Sequence, residues 1–104
     1  MDALHVVAEP HRREILRMVW DRELSSGEIA SRFDVTFGAV SQHLGVLRHA
    51  GFVRVRVDGN RRFYLADRAR LGPLGQMLEA MWAATLDRLA QAVESGDEEA
   101  PKAP

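Results

Sequence analysis

Apolar residues recur along the chain with two periods, and the switch between them organises it. Residues 2–8 carry a short helical face at Leu4, Val7 and Ala8 before Glu9-Pro10 breaks it. Pro10 suits the first turn of a second helix, where a missing N–H is no loss, and Ile15, Leu16, Val19 and Trp20 give that helix its face over about 10–22. Ser25 or Ser26 caps a third helix over about 26–33, with Glu28 in its first turn and Ile29, Ala30 and Phe33 inward. Asp34-Val35 makes a tight connection. Thr36 is then the N-cap of a fourth helix that buries Val40, Leu44 and Leu47, runs to Ala50 and stops at Gly51. Two short helices so joined make a helix-turn-helix.

After Gly51 the period becomes two. Val53, Val55 and Val57 alternate with Arg54, Arg56 and Asp58; Asp58-Gly59-Asn60 signals a turn, and Arg62 to Ala66 follow as a second strand. From about residue 70 the helical period returns through Leu71, Leu74, Met77, Leu78, Met81, Trp82, Leu86, Leu89 and Val93. That stripe is too wide for one small domain to cover, so it predicts pairing with a second copy. The expected architecture is a mainly α winged helix (α+β) in the order α-α-α-α-β-β-α. One domain spans 1–94, and 95–104 forms a disordered acidic, Pro-containing tail.

A winged helix places its fourth helix in the DNA major groove, which admits one helix. With the core face fixed, the opposite face carries Gly38, Ser41, Gln42, Gly45 and His49. Gln42 can bond adenine N6 and N7 together, while Gly38, Ala39 and Gly45 let the backbone come close. An exposed interior glycine costs a helix up to about 1 kcal/mol relative to alanine, so Gly45 points to close approach, or else to drift. His43 on the flank and Arg48 near the end suit phosphate contacts, as do Arg61 and Arg62 at the hairpin tip. His43 can equally brace the third helix. Arg54 and Arg56 either line the duplex or are simply solvated.

Composition first argues against this reading and then for it. The chain has 104 residues, formal net charge −1 and pI about 6.4, which lacks the basic total of many nucleic-acid binders. The charge is segregated, however. Residues 48–70 hold seven arginines against two acids, net +5, while residues 1–47 carry −2 and residues 71–104 carry −4. Arginine forks match phosphate oxygens and guanine edges; the plainer reading is an edge hairpin charged against aggregation. With no cysteine, disulfides, thiolate metal sites and cysteine nucleophiles are excluded. No Gly-rich phosphate loop, paired-carboxylate cleft or nucleophile motif is present, so no enzyme is expected. The opening MDALHVVAEPHRREIL lacks a basic segment leading into an apolar one, and no stretch reaches the roughly 18 apolar residues of a membrane span. The expectation is a cytoplasmic protein with no membrane partner.

The run VSQHLGVLRHAGFVRVRVDGNRRFYLA, preceded by EPHRREILRMV, resembles the ArsR/SmtB family of dimeric winged-helix repressors over about residues 3–90. The resemblance implies a homodimer through the first and last helices, involving Leu4, Val7, Leu74, Met77, Leu78, Met81, Trp82, Leu86 and Leu89. It also implies operator DNA as partner, with Thr36, Ser41, Gln42 and His43 on the recognition helix and Arg61 and Arg62 on the wing. The family's cysteine metal segment is replaced by Glu23-Leu24-Ser25-Ser26-Gly27-Glu28-Ile29. Its last-helix site lacks histidine, leaving Glu79, Asp87 and Glu94. No cofactor is therefore expected. Asp2, His5 and Glu9 on one helical face, with His11 nearby, remain a metal-ligand candidate, read first as ordinary polar surface. Trp82, Met77 and Met81 are read as dimer core before ligand pocket. A protein-interaction module with no specific operator is the alternative function.

Overall fold

The computed structural model describes residues 2–95, with side chains as far as Val93; the tail expected beyond Ser95 lies outside the described residues. The chain divides after Leu71 into two compact units. The first contains α1 (Ala3–Ala8), α2 (Pro10–Met18), β1 (Leu24–Ser25), α3 (Ser26–Ala30), α4 (Phe37–Ala50), β2 (Val53–Asp58), β3 (Arg61–Ala66) and α5 (Arg68–Leu71). The second contains one described helix, α6 (Pro73–Ser95). Among the described residues no helix is long and apolar enough to cross a membrane.

Local chemistry sets most of the helix starts. Glu9 N-caps α2, its Oε1 accepting the Arg12 backbone N–H at 2.9 Å, with Pro10 in the first turn. Ser25 and Glu28 form a reciprocal capping box on α3. The Ser25 Oγ accepts the Glu28 N–H at 3.1 Å, and Glu28 Oε1 accepts the Ser25 N–H at 2.8 Å. Thr36 Oγ1 accepts the Ala39 N–H at 3.0 Å to start α4. The end of α1 is closed from a distance: Arg12 Nε donates to the Val6 carbonyl at 2.8 Å, and an Arg13 guanidinium N–H donates to the Ala8 carbonyl at 2.8 Å. These are orphan carbonyls of a helix C-terminus satisfied by cations.

Three expected boundaries move. The second helix ends at Met18, not near residue 22. Val19 leaves helical geometry (φ −104°, ψ 18°), and its carbonyl accepts the Ala66 N–H at 2.9 Å, so the sheet takes over the chain there. The third helix ends at Ala30 because the following N–H groups of Arg32 and Phe33 bond to Ile29 and Ala30, three residues back, in a tightened turn. The last helical stretch is two helices. Gly72 adopts φ +55° and Pro73 begins α6.

The wing gains a strand that its sequence does not announce. Leu24↔Tyr64 and Ser25↔Phe63 pair β1 with β3, giving an antiparallel sheet in the order β1-β3-β2. The hairpin register runs from Val53↔Ala66 to Asp58↔Arg61, leaving Gly59-Asn60 as a two-residue loop. Gly59 has φ +65° in the first central position, where a type II′ turn takes glycine. Burial falls along β2 from Val53 (buried) through Val55 (half-buried) to Val57, which is 63% exposed. The alternation is kept, but the hairpin outruns the core.

Below the hairpin, Val6, Ile15, Leu16, Val19, Ile29 and Leu47 are fully buried. The join between α4 and the wing is tight: the Phe52 N–H donates to the Leu47 carbonyl at 3.0 Å and the Asp67 N–H to the Phe52 carbonyl at 2.8 Å. Gly51 makes this turn with φ +83°, and an added Cβ would meet the Arg70 guanidinium carbon at 2.9 Å. Replacing Gly51 by Ala should therefore destabilise the protein by at least about 1–2 kcal/mol, the cost of a left-handed residue bearing a Cβ. A urea-denaturation midpoint equal to that of the parent chain would contradict this.

Candidate nucleic-acid interface

α4 displays two faces. Val40, Leu44 and Leu47 are buried, and Gly38, Ser41, Gln42, Gly45 and His49 are exposed as the helical period requires. Gln42, Gly45, Val46, His49 and Ala50 line an open hollow of about 520 Å³ on this outer face. A Cβ built on Gly45 meets nothing within 4 Å among the described residues, so no packing among them requires glycine there. Thr36 and Gly38 are exposed at the N-terminal end of α4, where backbone N–H groups favour anions.

Phe37, absent from the sequence-derived site, is 58% exposed in the first turn. The helical wheel sets it about 60° from the buried stripe, which reads as the edge of the core. Burial along α4 becomes complete only at Val40, so the wheel position alone misleads.

The arginines of residues 48–70 divide into two groups. All seven are exposed, so what separates them is position and partner: Arg48, Arg54, Arg61 and Arg62 lie at the end of α4 and along the wing, whereas Arg56, Arg68 and Arg70 meet Glu23, Asp21 and the Gly51 turn. Arg54 borders a hollow of about 300 Å³ with Trp20, Asp21 and Arg68, and the Arg68 guanidinium lies 3.4 Å from Asp21. Arg61 lies over the Phe63 ring at 4.9 Å from its centroid. Arg56 is committed to the fold. Its Nε and an outer guanidinium nitrogen donate to Glu23 at 3.0 and 2.8 Å, and its guanidinium lies 4.5 Å from the Phe63 centroid. That hydrogen bond holds the Glu23 carboxyl below its ordinary range. Glu23 immediately precedes β1, so the pair ties β2 to the strand that pairs with β3.

His43 faces inward. It is half-buried with its Nδ1 3.8 Å from Glu9 Oε1, and its ring stacks on His11 at 5.4 Å between centroids and 11° between planes. The His11 ring nitrogen Nδ1 sits 3.0 Å from Glu9 Oε2. His43 thus meets the start of α2, a contact that differs from bracing of the third helix. Asp2 and His5 do not join Glu9 and His11 in a ligand cluster. Glu9 is extended (φ −82°, ψ 125°), so the helical face ends there, and the cluster that forms is Glu9, His11 and His43.

On α6, Met77, Met81, Leu86, Leu89 and Val93 are exposed, Leu74 and Trp82 half-buried and Leu78 buried. On α1, Leu4 is exposed and Val7 buried.

Burial pushes the His43 imidazole below its ordinary value of 6.5, reinforced by Arg12 and His11 and opposed by the Glu9 carboxylate. Partial burial works to raise Glu9, but hydrogen bonds from His11 and the Arg12 N–H, with the field of His43, hold it below 4.5. In both cases the folded state binds fewer protons than the unfolded chain, so stability falls with falling pH. His43 acts from about pH 6.5 downward and Glu9 from about pH 4.5 downward. The thermal midpoint should drop between pH 7 and 5, and His43→Gln should shrink that drop. An unchanged profile in the variant would contradict this account.

Comparison with known proteins agrees with this geometry. The helix-turn-helix domain model matches residues 7–56. An HTH-type transcriptional regulator of Mycobacterium tuberculosis is 37% identical over 97 residues, covering 92% of this chain and 91% of the relative. The transcriptional activator HlyU of Vibrio cholerae is 34% identical over 79 residues, 76% of this chain and 73% of the relative. Among solved structures, the transcriptional repressor BigR of Xylella fastidiosa superposes with a TM-score of 0.68 at 27% identity, over 79% of this chain and 81% of BigR. With four helices leading into an arginine-bearing wing, and with relatives that are DNA-binding regulators, not enzymes, this chain belongs to the ArsR/SmtB family of winged helix-turn-helix transcriptional regulators.

Proposed function

We propose that the protein is a homodimeric repressor that binds an inverted-repeat operator in the cytoplasm, reading bases with the outer face of α4. The observation that carries this reading is that face itself. It is exposed and small, with Gln42 as a base-reading side chain beside a glycine that no contact among the described residues requires. Phe37 adds an apolar group able to meet a thymine methyl. Arg48, Arg54, Arg61 and Arg62 supply phosphate contacts, with the α4 N-terminus around Thr36 and Gly38. Arg56 positions the wing, and His43 positions α4 from within.

The exposed apolar row of α6, from Met77 to Val93, supports pairing with a second copy, together with the exposed Leu4. A two-fold dimer then sets two α4 helices about 34–36 Å apart, one turn of the duplex. A dimer seated on a promoter blocks it, and BigR is a named repressor while HlyU is a named activator, so the sign of regulation is part of the proposal.

Binding to DNA fragments selected from the genome, titrated with salt, separates the roles. Gln42→Ala should cost about 1–3 kcal/mol on the preferred site and relax base preference. Arg62→Ala should weaken binding to all sequences alike and lower the salt slope by about 1. Gly45→Ala should raise thermal stability by up to about 1 kcal/mol while weakening DNA binding. Identical salt behaviour of Gln42→Ala and Arg62→Ala would sink the division of labour. Sedimentation at micromolar concentration should give a dimer that Leu86→Glu dissociates, and a monomeric parent chain would overturn the architecture.

A further inference from the structure

The fold assembles a ligand set that neither the helix-turn-helix nor the wing uses. Glu9, His11 and His43 each offer one donor atom, and the three atoms lie within 4.8 Å of one another. Two donors come from the start of α2 and the third from α4, 32 residues beyond His11 in the chain, so the set exists only when the first unit is folded. Glu9 Oε1 already accepts the Arg12 N–H, whereas Oε2 faces His11 at 3.0 Å, so coordination through Oε2 leaves the α2 cap in place. Leu44 is buried beside His43, which anchors that ligand's backbone.

We propose that Glu9, His11 and His43 form a binding site for one divalent transition-metal ion of the zinc, cobalt or nickel class.

Two imidazoles and a carboxylate are a donor set these ions accept, with a fourth position left for water. Tetrahedral bonds of about 2.0–2.1 Å place neighbouring donors roughly 3.3 Å apart, so donors now as much as 4.8 Å apart must close by up to about 1.5 Å. The side chains of His11 and Glu9, 39% and 30% exposed, have the freedom to make that movement, and their exposure gives the ion its route in. The chemistry of the free site is favourable at neutral pH. The carboxyl of Glu9 is ionised, and burial keeps the lone pair of His43 available. The opposing charge is Arg12, whose guanidinium is turned to the carbonyls of Val6 and His5. An occupied site would pin α4 to the start of α2 immediately beside Gln42.

The four histidines of the chain, His5, His11, His43 and His49, supply an internal control. Full-length protein, first treated with chelator, is titrated with Co²⁺ and followed by visible absorption, then challenged with Zn²⁺. One ion per chain should bind and be displaced by zinc. His11→Asn and His43→Asn should each lower Co²⁺ affinity by at least about tenfold. His5→Asn and His49→Asn should leave it unchanged. Should His43→Asn fold poorly, the imidazole ¹⁵N resonances of the parent chain decide, since zinc must shift His11 and His43 and spare His5 and His49. Absence of saturable binding, binding that survives His11→Asn, or loss of binding in His5→Asn or His49→Asn would overturn the proposal. None of these readouts depends on DNA.

Discussion

The burial of Val40, Leu44 and Leu47 along one side of α4 fixes the rotation of that helix, and most other features depend on it. Each such side chain is stabilised by about 1.5–3 kcal/mol when removed from water, so rolling α4 by one residue would cost several kcal/mol. With the roll fixed, Gly38, Gln42, Gly45 and His49 must face outward, and His43 must lie at the flank where Glu9 and His11 meet it. The same helix sets the wing, because the Leu47 carbonyl receives the Phe52 N–H across the left-handed Gly51. One packed stripe thereby orients the face offered to DNA, the histidine cluster and the root of the hairpin together.

Arginine is divided between building this unit and leaving it charged. Arg12 and Arg13 close the end of α1, Arg56 joins the wing to Glu23, and Arg70 lies over Gly51. The net +5 of residues 48–70 is therefore not all available to a polyanion. The group at the end of α4 and on the hairpin, Arg48, Arg54, Arg61 and Arg62, is smaller and suits contacts to phosphate. Among the acids, Glu9 and Glu28 at helix caps and Glu23 beside Arg56 have structural partners, while the acidic balance lies in the residues before 48 and after 70.

Features decided within a few residues were legible in the sequence. Thr36 capping α4, a serine at 25 or 26 capping α3, Gly51 ending α4 and the hairpin around Gly59 are all local chemistry. Features decided by distant partners were not. A two-residue strand has no period to detect, and Leu24–Ser25 becomes β1 only because Phe63 and Tyr64 arrive beside it. The early end of α2 likewise depends on the Ala66 N–H reaching Val19. Arg56 looked equivalent to Arg54 because alternation puts both on one face, and only the approach of Glu23 separates them. The histidine cluster is hidden for a related reason. Helical spacing groups Glu9 with Asp2 and His5, but the backbone is extended at Glu9, and His43 reaches Glu9 and His11 only through the packing of α4 on α2.

The most direct test of the orientation of α4 is amide chemical-shift mapping of the protein against duplex DNA carrying its selected site. The account predicts that perturbations concentrate on residues 36–49 along the outer face of α4 and on residues 59–62 of the wing, with Glu23 and Arg56 keeping their free-state environment. Perturbations centred instead on α1 or on β1, with Gln42 and Gly45 unmoved, would contradict it.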